Sequence, residues 1–247
     1  MIILGDIGNT ETKICLVNNY DKIIKKIVIP SKGKKLNLLN KYFKKLDFSS
    51  IDKILFCSVV PSTYKELKRY FYNKTKVRCY ELKELNLKKI LKIDVNYKQV
   101  GSDRLANAIS VFNKKNNFIV VDFGTATTFD VIIKDVYWGG IIAPGVNLSL
   151  KNLISKAELI PKINLSQTKI VIGKNTKQAV VSGFYWGYSG LIEKIISKIS
   201  KITKKNFKII LTGGLAHLFK TNIRLNVLVD KNLTIKGLIK AHKILNK

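Results

Sequence analysis

Two short segments of the chain combine an acidic residue, a glycine and threonines in a spacing that suits phosphate chemistry. The first is Asp6-Ile7-Gly8-Asn9-Thr10, followed by Lys13, and the second is Asp122-Phe123-Gly124-Thr125. A glycine lets a turn bring backbone N–H groups close to a phosphate, and the polar side chains add donors. The aspartate suits a magnesium ion held beside a polyphosphate. An ordinary turn at a strand end explains one such segment, whereas two matching copies favour nucleotide binding.

A third polar segment, Gly101-Ser102-Asp103-Arg104, places a carboxylate beside a guanidinium. The carboxylate can accept a proton from a hydroxyl group, while the cation holds a carboxylate or a phosphate. The same four residues also fit the start of a helix, with Ser102 or Asp103 as its cap. Spacing alone gives the helix start the advantage, so both interpretations stay open.

Two glycine-rich segments follow later in the chain. Gly139–Gly145 lies in an apolar setting, where it predicts a pocket wall or a chain reversal. Thr212-Gly213-Gly214 comes directly after an apolar run. It therefore either approaches a nucleotide closely or forms a simple strand-to-helix turn.

Several well-known catalytic patterns are missing from the sequence. There is no G-x-x-x-x-G-K-[ST], no G-x-G-x-x-G and no G-x-S-x-G, and Asp122-Phe123-Gly124 has no H-R-D before it. These absences argue against P-loop, Rossmann, protein-kinase and α/β-hydrolase chemistry. The only histidines are His217 and His242, which makes histidine triads and histidine metal sites poor candidates.

The elements that must position these residues alternate between strands and helices. Apolar β-branched runs come directly before Asp6 and Asp122, and a strand-like run follows each loop, so each copy predicts a β-hairpin. The sequence predicts further strands at Lys53–Val59 and Lys208–Leu211, and a lysine-rich helix at Tyr64–Tyr72. It also predicts helices at Arg104–Phe112, where apolar residues have helical spacing, and at Gln178–Ile202, as one or two helices. This alternation predicts an α/β fold.

The repeat of the Asp-x-Gly segment indicates two similar halves. The polar stretch Asn113–Asn117 lies between the copies and predicts the boundary. Two similar halves suggest a cleft between them as the place for a ligand.

The formal net charge of +29 at first suggests a nucleic-acid partner. Lysine supplies nearly all of this charge, and the only arginines are Arg69, Arg78, Arg104 and Arg224. The lysines are spread along the chain and form no recognisable nucleic-acid module. A compositional bias toward lysine, asparagine and isoleucine is therefore the better interpretation, and no specific nucleic-acid partner is expected.

The three cysteines, Cys15, Cys57 and Cys79, are scattered and form no C-x-x-C pair. We expect them to be small buried residues rather than disulfides or zinc ligands. The sequence has no run of about 18 apolar residues, and its N-terminus lacks the features of a signal peptide. We therefore expect a cytoplasmic protein without a membrane partner.

In their order and separations, these motifs resemble those of type III pantothenate kinases across nearly the whole chain. The matching residues are Asp6-x-Gly8-Asn9-Thr10, Gly101-x-Asp103-Arg104, Asp122-x-Gly124-Thr125-Ala126-Thr127-Thr128, Gly139-Gly140-x-Ile142-x-Pro144-Gly145 and Thr212-Gly213-Gly214. Each motif alone is weak, but the ordered series is highly specific.

The resemblance implies an α/β, actin-like ATPase fold of two duplicated ribonuclease-H-like halves, residues 1–113 and 114–247, with an interdomain active-site cleft. It implies the ATP-dependent phosphorylation of pantothenate to 4′-phosphopantothenate, the first step of coenzyme A biosynthesis. It further implies a potassium or ammonium ion, Mg²⁺ with ATP, and a homodimer.

The resemblance also assigns roles to individual residues. Asp103 would accept the proton of the pantothenate hydroxyl, and Asp122 would bind the monovalent cation. Pantothenate would be bound by Gly101, Ser102, Asp103 and Arg104, and by Thr176 of the second protomer. ATP would be bound by Asp6, Ile7, Gly8, Asn9, Thr10, Glu11, Thr12, Lys13 and Thr125.

One position departs from the family pattern. Many members have proline four residues before the glycine of Gly-x-Asp-Arg, and this chain has Tyr97 there. Some members use a nearby tyrosine to contact pantothenate, and the sequence leaves open whether Tyr97 does so. Two other functions stay open, namely another actin-like small-molecule kinase and a regulatory or nucleic-acid-binding relative. For the latter we expect only weak, salt-sensitive DNA binding.

Overall fold

The computed structural model describes residues 1–31, 36–44 and 46–245. Within them the chain forms two compact units. The first contains Met1–Phe112, Asp135–Tyr137 and the residues from Asn232 onward, and the second contains Asn113–Lys134 and Trp138–Lys231. The repeated Asp-x-Gly segment predicts two halves, residues 1–113 and 114–247, and this boundary stays a prediction.

The first unit is built on a five-stranded sheet. Its strands are β1 (Ile2–Ile7), β2 (Glu11–Val17), β3 (Ile23–Pro30), β4 (Lys53–Ser58) and β5 (Cys79–Glu81). They lie in the order β3-β2-β1-β4-β5. Strand β1 runs antiparallel to β2 and parallel to β4, and β4 runs parallel to β5. A further short strand of this unit, β6 (Lys92–Ile93), pairs with Val136 and Tyr137.

The second unit repeats this arrangement. Its strands are β7 (Asn117–Phe123), β8 (Ala126–Ile133), β9 (Val136–Pro144, whose first two residues belong to the first unit), β10 (Lys208–Gly213) and β11 (Val227–Val229). These five lie in the order β9-β8-β7-β10-β11, and β6 pairs with the start of β9 as the sixth strand of the sheet. Strand β7 runs antiparallel to β8 and parallel to β10, and β10 runs parallel to β11. The predicted duplicated halves and both predicted hairpins are therefore confirmed.

The repeat places the two aspartates at equivalent positions. Asp6 is the last residue but one of β1, and Asp122 is the last residue but one of β7. Each strand lies inside its sheet, where a neighbour on either side fixes its backbone. The sheet thus delivers each carboxylate to a strand end next to a polar loop.

The helices are α1 (Leu36–Phe43), α2 (Pro61–Thr75), α3 (Ser102–Val111), α4 (Val146–Lys156), α5 (Thr176–Thr203), α6 (Ala216–Lys220) and α7 (Leu233–Leu245). Pro61 at the first position of α2 and Lys76 in the left-handed conformation after it set the ends of this helix. Its face with Leu67 and Phe71 is buried, and the helix contains the lysine-rich segment Tyr64–Tyr72, which the sequence predicts to be helical. Burial of such a side chain contributes about 1.5–3 kcal/mol.

Helix α5 resolves the ambiguity of the Gln178–Ile202 segment, which is one helix of 28 residues. The Asn175 side chain caps it by accepting the N–H of Gln178 at 2.9 Å. Tyr185, Ile192 and Ile196 on one face are buried in the core of the second unit. In the described part of the chain, no helix is long and apolar enough to cross a membrane.

The glycine-rich segment before α4 is a strand rather than a chain reversal, whereas its role as a pocket wall stays a prediction. Its residues continue β9 to Pro144, and only Gly145 lies outside the strand, as the N-terminal boundary residue of α4. Hydrogen bonding to the neighbouring strand outweighed the low strand propensity of glycine, which is why the local sequence misled.

Helix α7 packs closely on α3 within the first unit. A Cβ on Gly237 would lie 1.8 Å from the carbonyl oxygen of Ala106, so only glycine allows this approach. The Thr234 hydroxyl and the Asn107 amide oxygen meet at 2.9 Å in the same contact. The last helix of the chain therefore holds the helix that begins with the Gly101–Arg104 segment.

Candidate active site

The first hairpin carries most of the residues expected to bind ATP. The turn between β1 and β2 is closed by a bond from the Gly8 N–H to the Glu11 carbonyl at 3.0 Å. Asn9, Thr10 and Glu11 are exposed at its tip, whereas Ile7 and Thr12 are buried. The Thr12 hydroxyl lies 2.8 Å from that of Ser31. Ile7 and Thr12 thus support the turn, and the exposed residues face solvent at its tip.

Asp6 lies opposite Lys13 in this hairpin. The Lys13 Nζ and the Asp6 Oδ2 are 3.4 Å apart, and both side chains are mostly shielded from water. A lysine at this distance offsets the aspartate charge and remains able to reach a phosphate. The pair therefore combines a carboxylate suited to a cation with a cation suited to phosphate oxygens.

The Gly101–Arg104 segment forms the start of α3, and its cap differs from the one expected. Gly101 is the boundary residue, and neither Ser102 nor Asp103 caps the helix with its side chain. The Ser102 hydroxyl is buried, accepts the Ser58 N–H at 2.7 Å and donates to the Ser58 carbonyl at 3.0 Å. Ser102 therefore ties α3 to the end of β4, a tertiary contact that local sequence does not reveal.

The Asp103 carboxylate folds back over the start of the helix. Its Oδ1 accepts the N–H of Arg104 at 2.8 Å. A Cβ on Gly101 would lie 2.4 Å from the same oxygen. Glycine is needed at position 101 because any side chain would displace the carboxylate.

The buried Cys57 thiol contacts the Asp6 carboxylate and lies near two further carboxylates of the first unit. The Cys57 Sγ donates to the Asp6 Oδ1 at 3.8 Å. Burial raises the pKa of Cys57 well above its usual value, and the charges of Asp6, Asp103 and Glu81 raise it further. All three carboxylates therefore lie close enough to the end of β4 to act on one group.

An open hollow of about 310 Å³ lies in the same unit, lined by Ser58, Pro61, Tyr64, Glu81, Lys83 and Glu84. Ser58 joins this hollow to Ser102 at the start of α3. The sequence did not single out Glu81 or Lys83, because neither belongs to a motif and only the fold brings them to this place.

Asp122 in the second unit is surrounded by oxygen atoms and glycines. Its neighbours across the sheet are Thr128 on β8 and Thr212 on β10. Gly213 has a φ of +86°, and a Cβ there would lie 2.6 Å from the Asp122 Oδ1 and 2.6 Å from the Phe123 carbonyl oxygen. The Thr212-Gly213-Gly214 segment thus lies against Asp122 where β10 leads into α6, which is the predicted strand-to-helix turn. Its close approach to a nucleotide stays a prediction.

Thr125 occupies the turn of the second hairpin. A Cβ on Gly145 would lie 2.0 Å from the Thr125 carbonyl oxygen, so the start of α4 packs directly on this turn. The Gly124 N–H donates to the Ala126 carbonyl at 3.0 Å. The two glycines fix the backbone of this loop within the second unit.

Thr176 is the first residue of α5 and is exposed. A Cβ on Gly173 would lie 2.2 Å from the Ala179 nitrogen, so the chain entering α5 folds tightly over its first turn. Just before it, Val171 and Ile172 are 66% and 76% exposed, and Trp186 donates its Nε1–H to the Ile170 carbonyl at 3.1 Å.

Comparison with known families decides the assignment. The family model for type III pantothenate kinase matches residues 2–198. A type III pantothenate kinase of Pelagibacter ubique is 58% identical over 243 residues, which cover 98% of each chain. The chain belongs to the type III pantothenate kinase family.

Solved structures support the fold. A Campylobacter jejuni protein named for the Baf family of transcriptional activators has a TM-score of 0.64 at 21% identity, covering 98% of this chain and 97% of its own. A ROK family glucokinase from Streptomyces griseus has a TM-score of 0.54 at 10% identity, covering 99% of both chains. At these identities the likeness concerns the fold alone, and it is the duplicated, actin-like ATPase fold.

The family makes this protein a kinase, so ATP enters its site with a divalent cation such as Mg²⁺. In the first hairpin, the Asp6 carboxylate suits the divalent cation, and the neighbouring Lys13 ammonium suits the phosphate oxygens. Within the described residues, no cluster of three or more His, Cys, Asp and Glu side chains forms a metal site.

Proposed function

We propose that this protein transfers the γ-phosphoryl group of ATP to the hydroxyl of pantothenate, giving ADP and 4′-phosphopantothenate, with Asp103 as the proton acceptor. One observation carries the assignment of the base. At the end of β4, Cys57 contacts the Asp6 carboxylate and the next residue, Ser58, is bonded to the Ser102 hydroxyl directly before Asp103, so one unit presents two carboxylates near one strand end. The repeated Asp-x-Gly hairpin suits phosphates, which leaves Asp103 for the acceptor.

In this mechanism Gly101, Ser102, Asp103 and Arg104 hold pantothenate at the start of α3. The ionised Asp103 carboxylate orients the hydroxyl and takes its proton as the oxygen attacks the γ-phosphorus. The bond between the γ-phosphorus and the bridging oxygen to the β-phosphate breaks, and ADP leaves with that oxygen. Arg104 supplies a cation for the substrate carboxylate. Because the transition state of phosphoryl transfer is loose, positioning and charge neutralisation carry most of the catalysis.

Ser102 would contact pantothenate through its backbone, because its hydroxyl is already bonded to the Ser58 backbone. That bond holds the start of α3 in place. The ATP site would comprise Asp6, Ile7, Gly8, Asn9, Thr10, Glu11, Thr12 and Lys13, together with Thr125, and Asp6 would act on the phosphates through Mg²⁺. Among these, the buried Ile7 and Thr12 act by shaping the turn.

Asp122 would hold a potassium or ammonium ion. The Asp122 Oδ1 and the Phe123 carbonyl oxygen would each lie 2.6 Å from a Cβ at Gly213, so both oxygens approach this glycine, and oxygen is the donor type that hard cations prefer. When bound, this ion and Mg²⁺ would offset negative charge on the reacting phosphates.

The second unit carries features of a homodimer in which Thr176 of each protomer reaches the pantothenate of the other. Val171 and Ile172 are strongly exposed beside Thr176. On α5, an added Cβ at Gly183, Gly187 or Gly190 would meet nothing within 4 Å. An exposed apolar segment beside a helix face without side chains suits close packing with a second copy.

We also propose that the reaction takes place in the cytoplasm. Cys15, Cys57 and Cys79 are free and buried, which suits a reducing compartment.

The test is an assay of the purified protein with ATP, Mg²⁺ and pantothenate, in potassium buffer and in sodium buffer. Release of ADP and formation of 4′-phosphopantothenate are followed together. Product that requires potassium supports both the reaction and the cation site. Equal product in sodium keeps the reaction and removes the cation site. Folded protein that gives no product in either buffer contradicts the proposed acceptor.

A further inference from the structure

Lys83 is attached to the segment that leads into Gly101. Its Nζ donates to the Lys98 carbonyl at 3.1 Å and to the Val100 carbonyl at 3.0 Å. The same ammonium lies 5.1 Å from the centre of the Tyr97 ring, a cation–π distance. In return, the Tyr97 hydroxyl donates to the Lys83 carbonyl at 3.1 Å.

Glu81 connects the same turn to β4. Its Oε2 accepts the Lys83 N–H at 2.6 Å, and its Oε1 accepts the Ser58 N–H at 3.3 Å. Ser58 is in turn bonded to the Ser102 hydroxyl. The turn at residues 81–83 therefore holds the backbone on both sides of Gly101.

The position of Val100 determines that of Asp103. Val100 directly precedes Gly101, and Gly101 is packed so closely against the Asp103 Oδ1 that it has no room for a Cβ. A shift of the Val100 backbone would therefore move the carboxylate. Lys98 and Gln99, which lie between Tyr97 and Val100, have exposed side chains. The backbone of this segment is therefore held by Lys83 rather than by these two side chains.

We propose that Lys83 and Tyr97 form a clasp that positions Asp103 for the acceptor hydroxyl. They are positioning residues, and the proposal rests on the proposed function. Tyr97 uses its hydroxyl and its ring within the clasp, which leaves it a structural partner of Lys83 rather than a ligand of pantothenate.

The test compares the full-length variants Lys83→Met and Tyr97→Phe with the control Lys98→Met. Lys98 is exposed in the same segment and contributes only its carbonyl to the clasp. We expect kcat/KM for pantothenate to fall about 10–100-fold in Lys83→Met, because a misplacement near 1 Å can cost about 100-fold. KM for ATP should stay within about twofold, since the ATP residues lie on another loop. Lys83→Arg should restore most of the activity, because a guanidinium can donate to both carbonyls.

Tyr97→Phe removes one hydrogen bond and keeps the ring, so a smaller fall of about 2–10-fold in kcat/KM for pantothenate is expected. This variant tests the clasp should Lys83→Met fail to fold.

A second readout is independent of activity. Amide hydrogen exchange at residues 96–104 should speed up in Lys83→Met and stay unchanged in Lys98→Met, with α2 protected in both. Unchanged exchange and unchanged kcat/KM in Lys83→Met would overturn the clasp. So would an equal loss of activity in Lys98→Met, or a matching rise in KM for ATP. A wild-type protein that does not phosphorylate pantothenate would instead contradict the proposed function, while hydrogen exchange would still decide whether the clasp exists.

Discussion

Cys57 lies directly opposite Asp6 in the parallel pairing of β4 with β1, and its thiol donates to the Asp6 Oδ1 across 3.8 Å. In the second unit, the position equivalent to Cys57 is Thr212, which lies opposite Asp122. Both aspartates thus have a small residue with a hydrogen-bonding group beside them on the neighbouring parallel strand. The repeat therefore extends from the strand order to the immediate surroundings of each carboxylate.

Replacement of Asp103 by asparagine should abolish most turnover of pantothenate. The amide keeps the size of the side chain but cannot accept the hydroxyl proton, and general base catalysis contributes about 100- to 10,000-fold. We expect kcat to fall by that factor in the ADP-release assay, with an unchanged circular dichroism spectrum. The control Glu66→Gln makes the same carboxylate-to-amide change on the exposed face of α2 and should keep wild-type activity. Turnover near wild type in Asp103→Asn would show that another group accepts the proton.

Replacement of Gly213 by alanine should damage the surroundings of Asp122. The new Cβ would lie 2.6 Å from the Asp122 Oδ1, on a backbone with φ of +86° that favours glycine. Such strain costs about 1–3 kcal/mol in the free energy of unfolding, measured by urea denaturation. If Asp122 binds the cation, the concentration of potassium needed for half-maximal activity should also rise.

The neighbouring glycine provides the matched control for this variant. A Cβ on Gly214 would meet nothing within 4 Å, so Gly214→Ala should keep the stability and potassium dependence of the wild type. Equal effects of the two substitutions would mean that the close approach of Gly213 to Asp122 affects neither stability nor potassium dependence.

The three cysteines should resist thiol reagents in the folded protein. All are buried, and burial raises the pKa of Cys15 and of Cys79 to about 11 and that of Cys57 well above its usual value. At pH 7.5 a disulfide reagent should therefore label them only after denaturation. Rapid labelling of one thiol in native protein would place that cysteine on an accessible surface.

The same shifts give a pH dependence of stability. Because these thiols titrate at higher pH in the folded than in the unfolded chain, their contribution is fully present below the unfolded pKa of 9.0. It is lost as the pH rises above that value, so urea denaturation at pH 10 should show a lower free energy of unfolding than at pH 8. Replacement of all three cysteines by alanine should reduce this difference.

The exposed segment before α5 should determine the oligomeric state. Ile172→Asp places a charge on a side chain that is 76% exposed beside Thr176. If this segment packs against a second protomer, burial of the charge should shift the protein to monomers in light scattering after size exclusion. Activity should fall as well, since Thr176 would no longer reach the partner's pantothenate.

Ile202 supplies the control, because it is also 76% exposed but lies near the other end of α5. Ile202→Asp should leave the molar mass unchanged. A wild-type protein that is monomeric at assay concentration, and active, would remove the homodimer from the proposal.

Much of the fold follows from local patterns in the sequence. The β-branched runs before Asp6 and Asp122 predicted the strands β1 and β7, and the apolar spacing in Arg104–Phe112 predicted α3, because side chains in such patterns are buried best in a strand or a helix. The motif order indicated the family and, with it, the duplicated fold. The roles of Asp103 and Asp122 come from the same order.

Other features depend on contacts between distant parts of the chain. The sequence allowed Ser102 to cap its own helix, yet its hydroxyl bonds to Ser58, 44 residues away. It left Gly139–Gly145 as a wall or chain reversal, and pairing with a neighbouring strand made most of it a strand. Lys83 belongs to no motif, and it meets Val100 only because β4, β5 and α3 fold together.

The sequence by itself therefore determined several of the strands and helices and the kind of chemistry, since backbone propensity, apolar period and motif order are local properties. Tertiary structure alone decided which groups surround each carboxylate. That choice depends on the register between strands and on close approaches such as Gly101 to Asp103, which join residues through space rather than along the chain.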